Sequence, residues 1–470
     1  MTKGIWTFTA ALLAGCGTPT PSPAPLHPDS PLLLTGVTVV DPSPGAPSRP
    51  DQAILIAGGK IVAVGPRSSV HASPGTPVLD GRGKFVVPGL WDMHVHFMNT
   101  GSSALALLLA HGVTSVREMG GFLDSTRSWQ ARMASGTLLG PRIKTPGPIL
   151  ESPRYLAGVR SRDSAAGGLL APRVLPYRIG VADSAAAERA IDSLVRLRVD
   201  FVKIRTTASR GTYLGILASA RRAGLPVAGH QPQWMSVADA AEAGQLDIEH
   251  GLNPPTSSLG AAERRDLYRR LAAAGAWYTP TLVVSGAVQV SGDSGLRLLF
   301  GAGADRATRE QRYASHWLLG WWRMQLEERA RDTSTAQAEA VRLGYASSVQ
   351  DVRGMRDAGV RLLAGTDAGS VLVYPGFSLH EELRLLVEDA GLSPREALAA
   401  ATISPARYFG MEKELGSIAP GQIADLVLLD ADPLENIRNT TRIFAVVQAG
   451  RLFDRERLDS LLNGALRPPK

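Results

Sequence analysis

The middle of the chain alternates short apolar segments with segments rich in Ala, Leu and Arg, and this alternation restricts the possible folds most strongly. The apolar segments have the length of buried strands and the others the composition of helices, which is typical of βα units around a parallel sheet. The candidate strands are one around His94, then VTSVREMG, RIKTPGPI, DFVKIR, LPVAGH, LDIEH, WYTPTLVV and VRLLAGTD. Eight such strands predict an α/β fold with a closed, TIM-like (β/α)8 barrel.

Both ends of the chain have β character instead. LLLTGVTVVD is rich in β-branched residues, and QAILIAGGKIVAVG predicts a hairpin that turns at Gly58 and Gly59. GSIAPGQIADLVLLD and IFAVVQAGRLFD have a similar texture near the C-terminus. The sequence therefore predicts one small sheet domain built from both ends of the chain.

A long stretch from about residue 286 to 350 separates the seventh and eighth candidate strands. It contains HWLLGWWRMQLEERA and is interpreted as a helical insertion. Its tryptophans Trp317, Trp321 and Trp322 either pack the insertion against the barrel or cover the substrate site as a lid.

Polar side chains stand at the C-terminal ends of the predicted strands, where barrels of this class carry their active sites. They are His94 and His96 on the first strand, Lys203 on the fourth, His230 on the fifth, His250 on the sixth and Asp367 on the eighth. In VVPGLWDMHVHF, His94 and His96 alternate along one strand and therefore point to the same face. Buried imidazoles need partners, and together with a carboxylate they are suitable ligands for zinc, manganese, cobalt or iron.

Lys203 needs a separate explanation, because an ammonium group cannot bind a cation. Burial beside metal ions would depress the pKa of Lys203 and favour the neutral amine. The alternative is a lysine at a strand end whose amine reaches out to solvent.

These residues and several longer phrases resemble the amidohydrolase superfamily of binuclear metal hydrolases. The phrases look like the branch of imidazolonepropionase-like and prolidase-like amidohydrolases, and they are VVPGLWDMHVH, GVTSVREMGG, VDFVKIR, IEHG, GTDAG, LSPREALAAATISPARYFG and GSIAPGQIADLVLLDADPL. The resemblance covers residues 32–454. It implies a hydrolase barrel at about residues 89–410, a β-sandwich domain from residues 32–88 and 411–454, and a C-terminal tail at 455–470.

The resemblance also implies a division of roles among the strand-end residues. His94, His96 and Asp367 would hold one divalent ion, expected to be zinc. His230 and His250 would hold a second, and Lys203, converted by carbon dioxide to a carbamate, would bridge both. Lys203 and Asp367 would be catalytic, since a metal-bridging hydroxide would attack the scissile carbonyl while Asp367 passes its proton to the leaving amine.

Arg205 and Arg117 are candidate substrate-binding residues. Arg205 is two residues beyond Lys203, so a continued strand aims it at the same barrel mouth, and Arg117 ends the second strand. A guanidinium group binds a substrate carboxylate well, although a structural partner such as Glu118 or Glu249 is equally open for either arginine. The segment TPGPILESPRY lacks the Gly-Gly-His element that peptidase-like relatives often carry after strand three.

The expected function is hydrolysis of an amide C–N bond in a small peptide-like or N-acyl amino acid substrate. One alternative is a deaminase or a cyclic amide or imidazolone hydrolase; such relatives generally use one metal ion and no bridging lysine. Another is a catalytically silent envelope protein that binds a ligand, although silent relatives tend to lose the metal ligands that this chain keeps.

The start of the chain indicates export to the cell envelope. Lys3 and the apolar IWTFTAALLAG have the features of a signal peptide and are too short to span a bilayer. LLAGC resembles a bacterial lipobox, so we expect a signal peptide at residues 1–15, lipidation at Cys16, and a Pro-rich tether to residue 31. The protein would then be lipid-anchored at a bacterial membrane, facing the periplasm or in the outer membrane; the alternative is a cytosolic protein.

The charge distribution excludes one class of partner. The formal net charge of +7 is spread along the chain, and we find neither a dense run of Lys and Arg nor a nucleic-acid-binding motif. We therefore expect no nucleic acid partner.

Overall fold

The computed structural model describes residues 30–165, 168, 171–290, 292–301, 310–331 and 334–466. The expected signal peptide, the lipidation site Cys16 and nearly all of the tether lie outside the described residues.

Strands and helices are numbered here in chain order. The strands are β1 Leu32–Val39, β2 Arg49–Ala57, β3 Lys60–Pro66, β4 Val78–Asp80, β5 Phe85–Pro88, β6 Leu90–Val95, β7 Val113–Glu118, β8 Arg142–Lys144, β9 Ile149–Glu151, β10 Arg178–Gly180, β11 Val202–Ile204, β12 Val227–Gly229, β13 Asp247–Glu249, β14 Trp277–Thr279, β15 Arg361–Leu362, β16 Leu426–Leu429, β17 Ile443–Gln448 and β18 Arg451–Phe453. The α-helices are α1 Phe97–Thr100, α2 Ser103–Ala110, α3 Leu123–Ala134, α4 Pro153–Ala165, α5 Ala171–Val174, α6 Ser184–Arg196, α7 Arg210–Arg222, α8 Val237–Ala243, α9 Ala261–Ala273, α10 Leu282–Val288, α11 Gly292–Phe300, α12 His316–Arg331, α13 Thr335–Ala358, α14 Phe377–Glu388, α15 Pro394–Ala400, α16 Ile403–Tyr408 and α17 Arg455–Gly464.

The two β-rich ends of the chain form one eight-stranded sheet. Its order is β18-β17-β16-β5-β1-β2-β3, and β4 pairs with β1. The hairpin between β2 and β3 turns at Gly58 and Gly59, whose φ angles of 56° and 73° suit glycine. The sheet curls, since Lys60 at the start of its edge strand β3 bridges Ile423, just before β16. β5 leads directly into the barrel strand β6, so this domain is tied to the barrel at its first strand.

The middle of the chain forms the TIM-like barrel that the alternation of strands and helices predicts. β6, β7 and β8 pair in parallel, as do β9, β11, β12, β13, β14 and β15. The segment RIKTPGPI supplies both β8, which pairs with β7, and the start of β9, which pairs with β11. Val95 bridges Ala368 in parallel, which brings the first and last strands of the barrel together.

One of the predicted strands is shorter than its apolar residues suggest. WYTPTLVV continues as a strand only to Thr279, and helix α10 begins at Leu282. The carboxylate of Glu382 accepts hydrogen bonds from the backbone N–H groups of Leu282 and Val283, at 3.0 and 2.7 Å. A buried acid far along the chain therefore satisfies the first turn of a helix at this position.

Helices occupy most of the described part of the chain between β14 and β15, where the sequence predicts an insertion. They are α10 to α13. Within the segment interpreted as a C-terminal tail, α17 packs against α2 of the barrel, and its Leu458 is buried. Among the described helices, none combines the length and the apolar character needed to cross a membrane.

Candidate metal centre

The structure brings the six predicted ligands together at the C-terminal end of the barrel. The rings of His94 and His250 are 4.6 Å apart between centroids, and those of His230 and His250 are 4.9 Å apart. One cavity of about 990 Å³ is lined by His96, Lys203, His230, His250 and Asp367, while His94 lies fully buried beneath them. The side chains lie on or directly after β6, β11, β12 and β13, and in the segment after β15, so the closed barrel itself gathers them.

His94, His96 and Asp367 form the tightest group. Asp367 Oδ1 lies 3.2 Å from His96 Nε2 and 3.5 Å from His94 Nε2, and the potential ligand atoms of the three residues lie within 4.8 Å of one another. His94 Nε2 is buried and has no hydrogen-bond partner among the described residues. Imidazole nitrogen and carboxylate oxygen atoms that converge in this way fit a divalent metal ion.

The backbone at two of the ligands is strained. His250 and Asp367 have φ angles of 66° and 61°, in the left-handed region that residues other than glycine seldom adopt. The N–H of Asp367 donates to the carbonyl of His94 at 2.7 Å, and that of His250 to the carbonyl of Thr279 at 2.9 Å. Strain of this kind persists where the surrounding structure holds it, and it is frequent at functional sites.

Three of the four histidines are held in the neutral form. Burial, followed by nearby positive groups such as Lys203, lowers the pKa of His94 and of His230 well below the usual value, and burial lowers the pKa of His250 to about 4. Glu249 Oε2 lies 2.7 Å from His94 Nδ1, so a proton on Nδ1 is donated to the carboxylate and the lone pair of Nε2 faces Asp367. Support of this kind is typical of histidines that bind metal.

Lys203 lies in the middle of β11 and is buried, with 1% of its surface exposed. Its Nζ has no hydrogen-bond partner among the described residues. Burial lowers the pKa of Lys203 to about 8, although the negative charge of Glu249 opposes this shift. The structure therefore excludes a lysine that reaches out to solvent.

Asp367 is held in its ionised form. Burial alone would raise the pKa of Asp367, but the hydrogen bond with His96 lowers it, and the net shift is downward. The hydroxyl of Ser370 donates to Oδ2 of Asp367 at 2.9 Å. An ionised carboxylate at this position can bind a cation or accept a proton.

Arg117 has a structural role, and the prediction that it binds substrate is wrong. It is fully buried, and its guanidinium donates to Asp247 Oδ2 at 2.6 Å and to Glu249 Oε1 at 2.8 Å. Its Nε donates to the carbonyl of Met93 at 2.6 Å. Arg117 thus holds Glu249, which in turn holds His94, whereas Glu118 accepts from Thr145 instead.

Arg205 lines the same cavity as the predicted ligands, with 34% of its side chain exposed. The insertion contributes another wall through Trp317 and Trp321, while Trp322 is fully buried and donates to the carbonyl of Gly369 at 3.1 Å. The three tryptophans therefore differ in position. Trp322 packs the insertion next to the candidate metal centre, whereas Trp317 and Trp321 face the cavity.

Some residues of the site carry no recognisable signal in the sequence. Glu249 directly precedes His250, and only the closed barrel reveals that it supports His94 from another strand. Tyr155 on α4 and Arg178 on β10 also line the cavity. The sequence around them contains no motif that predicts this position. Residues on such connections are positioned by tertiary structure alone.

Comparisons with known proteins agree with this geometry. The model of the amidohydrolase family matches residues 85–452. An imidazolonepropionase from Symbiobacterium thermophilum is 27% identical over 429 residues, which cover 85% of this chain and 90% of the relative. The solved structure of a bottromycin amidohydrolase aligns with a TM-score of 0.70 and 25% identity, covering 93% of this chain and 91% of the other. A Bifidobacterium longum protein provisionally assigned as a prolidase aligns with a TM-score of 0.68 and 25% identity, covering 93% and 99%.

Proposed function

Since the chain belongs to the amidohydrolase family and is a hydrolase of carbon–nitrogen bonds, we propose that it cleaves the amide bond of a small peptide-like or N-acyl amino acid substrate. The observation that carries this proposal is the convergence at one cavity of four histidines, Asp367 and Lys203, whose amine has no hydrogen-bond partner among the described residues. The cavity of about 990 Å³ is large enough for a dipeptide-sized molecule.

Members of this family generally use divalent metal ions, and the residues present fit two. In our proposal His94, His96 and Asp367 would hold one zinc ion, and His230 and His250 would hold the other. Lys203, as a carbamate formed with carbon dioxide, would be the ligand shared by the two ions, which would account for a buried amine that has no hydrogen-bond partner among the described residues. When bound, the ions would polarise the scissile carbonyl and lower the pKa of a water molecule.

The protein side chains supply the remaining chemistry. Asp367, ionised at neutral pH, accepts a proton from the attacking water and delivers it to the nitrogen of the leaving amine. Glu249 keeps the proton of His94 on Nδ1, and Arg117 fixes Glu249 in place. Thr281 does the same for His250, with its Oγ1 2.8 Å from Nδ1.

One alternative reaction has support from a specific comparison. The similarity to an imidazolonepropionase favours the hydrolysis of a cyclic amide. Against it, our sequence interpretation associates that reaction with a single metal ion, and Lys203 then has no role. The catalytically silent alternative has no such support, because all six predicted ligands are present at one site.

The proposed function is tested by a panel of substrates offered to the zinc-loaded protein. We expect turnover of dipeptides or N-acetyl amino acids, followed as released amine. Hydantoin and adenine represent the cyclic amide and deaminase alternatives. Turnover of either of these, with the linear amides left intact, would contradict the proposal.

We also propose that the protein is lipid-anchored at the cell envelope through Cys16, on the basis of LLAGC and the Pro-rich tether. Lipidated protein should be found in the membrane fraction, since two or more acyl chains anchor stably where one is marginal. Cys16→Ser should release the protein from that fraction or leave its precursor uncut. Wild-type protein that carries no fatty acid and fractionates as soluble would contradict the proposal.

A further inference from the structure

Two arginines pack against the same aromatic ring. They form a wall of the cavity that contains none of the predicted metal ligands. Arg178, on β10, places its Cζ 5.2 Å from the centroid of the Tyr155 ring. Arg205, directly after β11, places its Cζ 4.4 Å from the same centroid. All three residues line the cavity that contains Lys203 and Asp367. Stacking on an aromatic face restricts the orientation of a guanidinium group, so both cations are pre-positioned.

A single carboxylate lies between the two cations. Glu151 is fully buried, and its Oε1 accepts from Arg178 Nη1 and, at 3.4 Å, from Arg205 Nη1. Its Oε2 accepts from the hydroxyl of Thr206. Glu327 and Glu328 line the same cavity, but in the described part of the chain neither forms an ion pair with these arginines. Two positive charges therefore share one negative charge, and the cluster retains one positive charge.

The arginines also keep unused hydrogen-bond donors. The side chain of Arg178 is 8% exposed, and its Nε is buried with no partner among the described residues. Glu151 accepts from Nη1 of Arg178, so Nε, which lies on the edge that it forms with Nη2, remains for another acceptor. This edge is one of those with which a guanidinium group binds a carboxylate in a bidentate manner. Arg205 contacts Glu151 through Nη1 at 3.4 Å, and 34% of its side chain remains exposed.

We propose that Arg178, Arg205 and Tyr155 form a subsite for a carboxylate of the substrate, which narrows the substrate class to amides that carry a free carboxylate close to the scissile bond. Arg205 is two residues beyond Lys203, about 7 Å along the strand direction. Because both arginines line the same cavity as Lys203 and Asp367, an anion bound by them would match the carboxylate of an amino acid whose amine is the leaving group. The single remaining positive charge suits a monoanion better than phosphate. This inference rests on the proposed function.

The subsite can be tested without catalysis by measuring ligand binding to the metal-stripped protein by calorimetry. The ligands are N-acetyl-alanine, N-acetyl-leucine, N-acetyl-phenylalanine and N-acetyl-lysine, each offered as the free acid and as the amide. We expect at least one free acid to bind about 10-fold or more tightly than its amide, a ratio typical of a charge-assisted hydrogen bond. Arg205→Ala should remove this preference, and Arg205→Lys should keep part of it. Arg222→Ala, which removes an exposed arginine of α7 that pairs with Glu188, should leave the preference unchanged.

A second variant tests Arg178. Arg178→Ala alone leaves Glu151 buried with fewer partners and could unfold the region, so Arg178→Ala is combined with Glu151→Gln. The double variant should also lose the preference for the acid. Equal binding of acid and amide by the wild type, or an unchanged preference in both arginine variants, would overturn the subsite. Displacement of the acid by an equal concentration of inorganic phosphate would assign the subsite to phosphate instead.

Turnover separates this inference from the proposed function. If linear amides are hydrolysed with equal kcat/KM as acids and as amides, the function holds and the subsite fails. If the free acids bind selectively to the metal-stripped protein but no linear amide is hydrolysed, the subsite holds and the proposed function fails.

Discussion

Replacing Lys203 with alanine is expected to lower kcat by more than about 100-fold, because loss of residues that merely support a metal ligand already costs 10- to 100-fold. In our account Lys203 holds both ions through its carbamate, so the variant should also lose one or both metal ions. The fold should survive, since within the described part of the chain the buried Nζ has no hydrogen-bond partner that the substitution would leave unpaired. Metal analysis, steady-state kinetics and circular dichroism on the same preparation check the three parts of this prediction.

Lys144 provides the matched control. It also lies on a barrel strand, β8, but it pairs with Asp200 at 2.9 Å, outside the cavity. Lys144→Ala should keep its metal ions and its activity. Addition of acetate or propionate should restore part of the activity of Lys203→Ala, since a small carboxylate can occupy the place of the carbamate. Full activity of Lys203→Ala without added carboxylate would contradict the proposal that Lys203 bridges the two ions.

Removal of divalent metal ions should abolish hydrolysis, with a loss of at least about 1000-fold, since carbonyl polarisation by a metal ion contributes several kcal/mol. Zinc should restore the activity. Magnesium should not, because four of the ligands in this site are imidazoles, which magnesium binds poorly.

Thermal unfolding gives a second readout for the same experiment. Zinc that binds only the folded protein should raise the Tm of the stripped protein, and magnesium should have little effect. His94→Ala removes a ligand and should reduce the rise caused by zinc, whereas Lys144→Ala should show the full rise. Metal-free protein that hydrolyses the substrate at the rate of the untreated enzyme would contradict the prediction.

The sequence predicts the barrel and the convergence of the candidate ligands for the same physical reason. A parallel barrel places the C-terminal ends of all its strands at one mouth, so polar residues at strand ends must converge there. His94, Lys203 and His250 are far apart in the chain, yet their places at strand ends were enough to predict that they meet. The hairpin at Gly58 and Gly59 can also be predicted from local sequence, because its turn requires positive φ angles, which glycine adopts readily.

Contacts across the barrel could not be predicted in this way. Arg117 lies near the end of the barrel strand β7, as His94 does on β6. Its guanidinium group, however, bonds to Asp247 and Glu249 on the non-adjacent strand β13. Helix α10 begins inside an apolar run because the carboxylate of Glu382 satisfies its first N–H groups. In both cases the deciding partner lies about a hundred or more residues away, and local patterns contain no information about it.

The carboxylate subsite shows the same limit. Alternation along the strand placed Arg205 correctly at the cavity, because it depends only on the neighbouring Lys203. Arg178 and Tyr155 come from β10 and α4, which lie beyond the regular barrel pattern. Their approach to Arg205 depends on tertiary contacts, such as the packing of both arginines against the ring of Tyr155.

The metal content of the purified, active protein tests the central claim most directly. Elemental analysis of the wild-type protein should find about two divalent ions per chain, as expected for a site that uses paired metal ions. The same analysis of Lys203→Ala should find one or none, with a matching loss of activity. Wild-type protein that is fully active with no bound divalent metal, or Lys203→Ala that keeps both ions, would contradict the account.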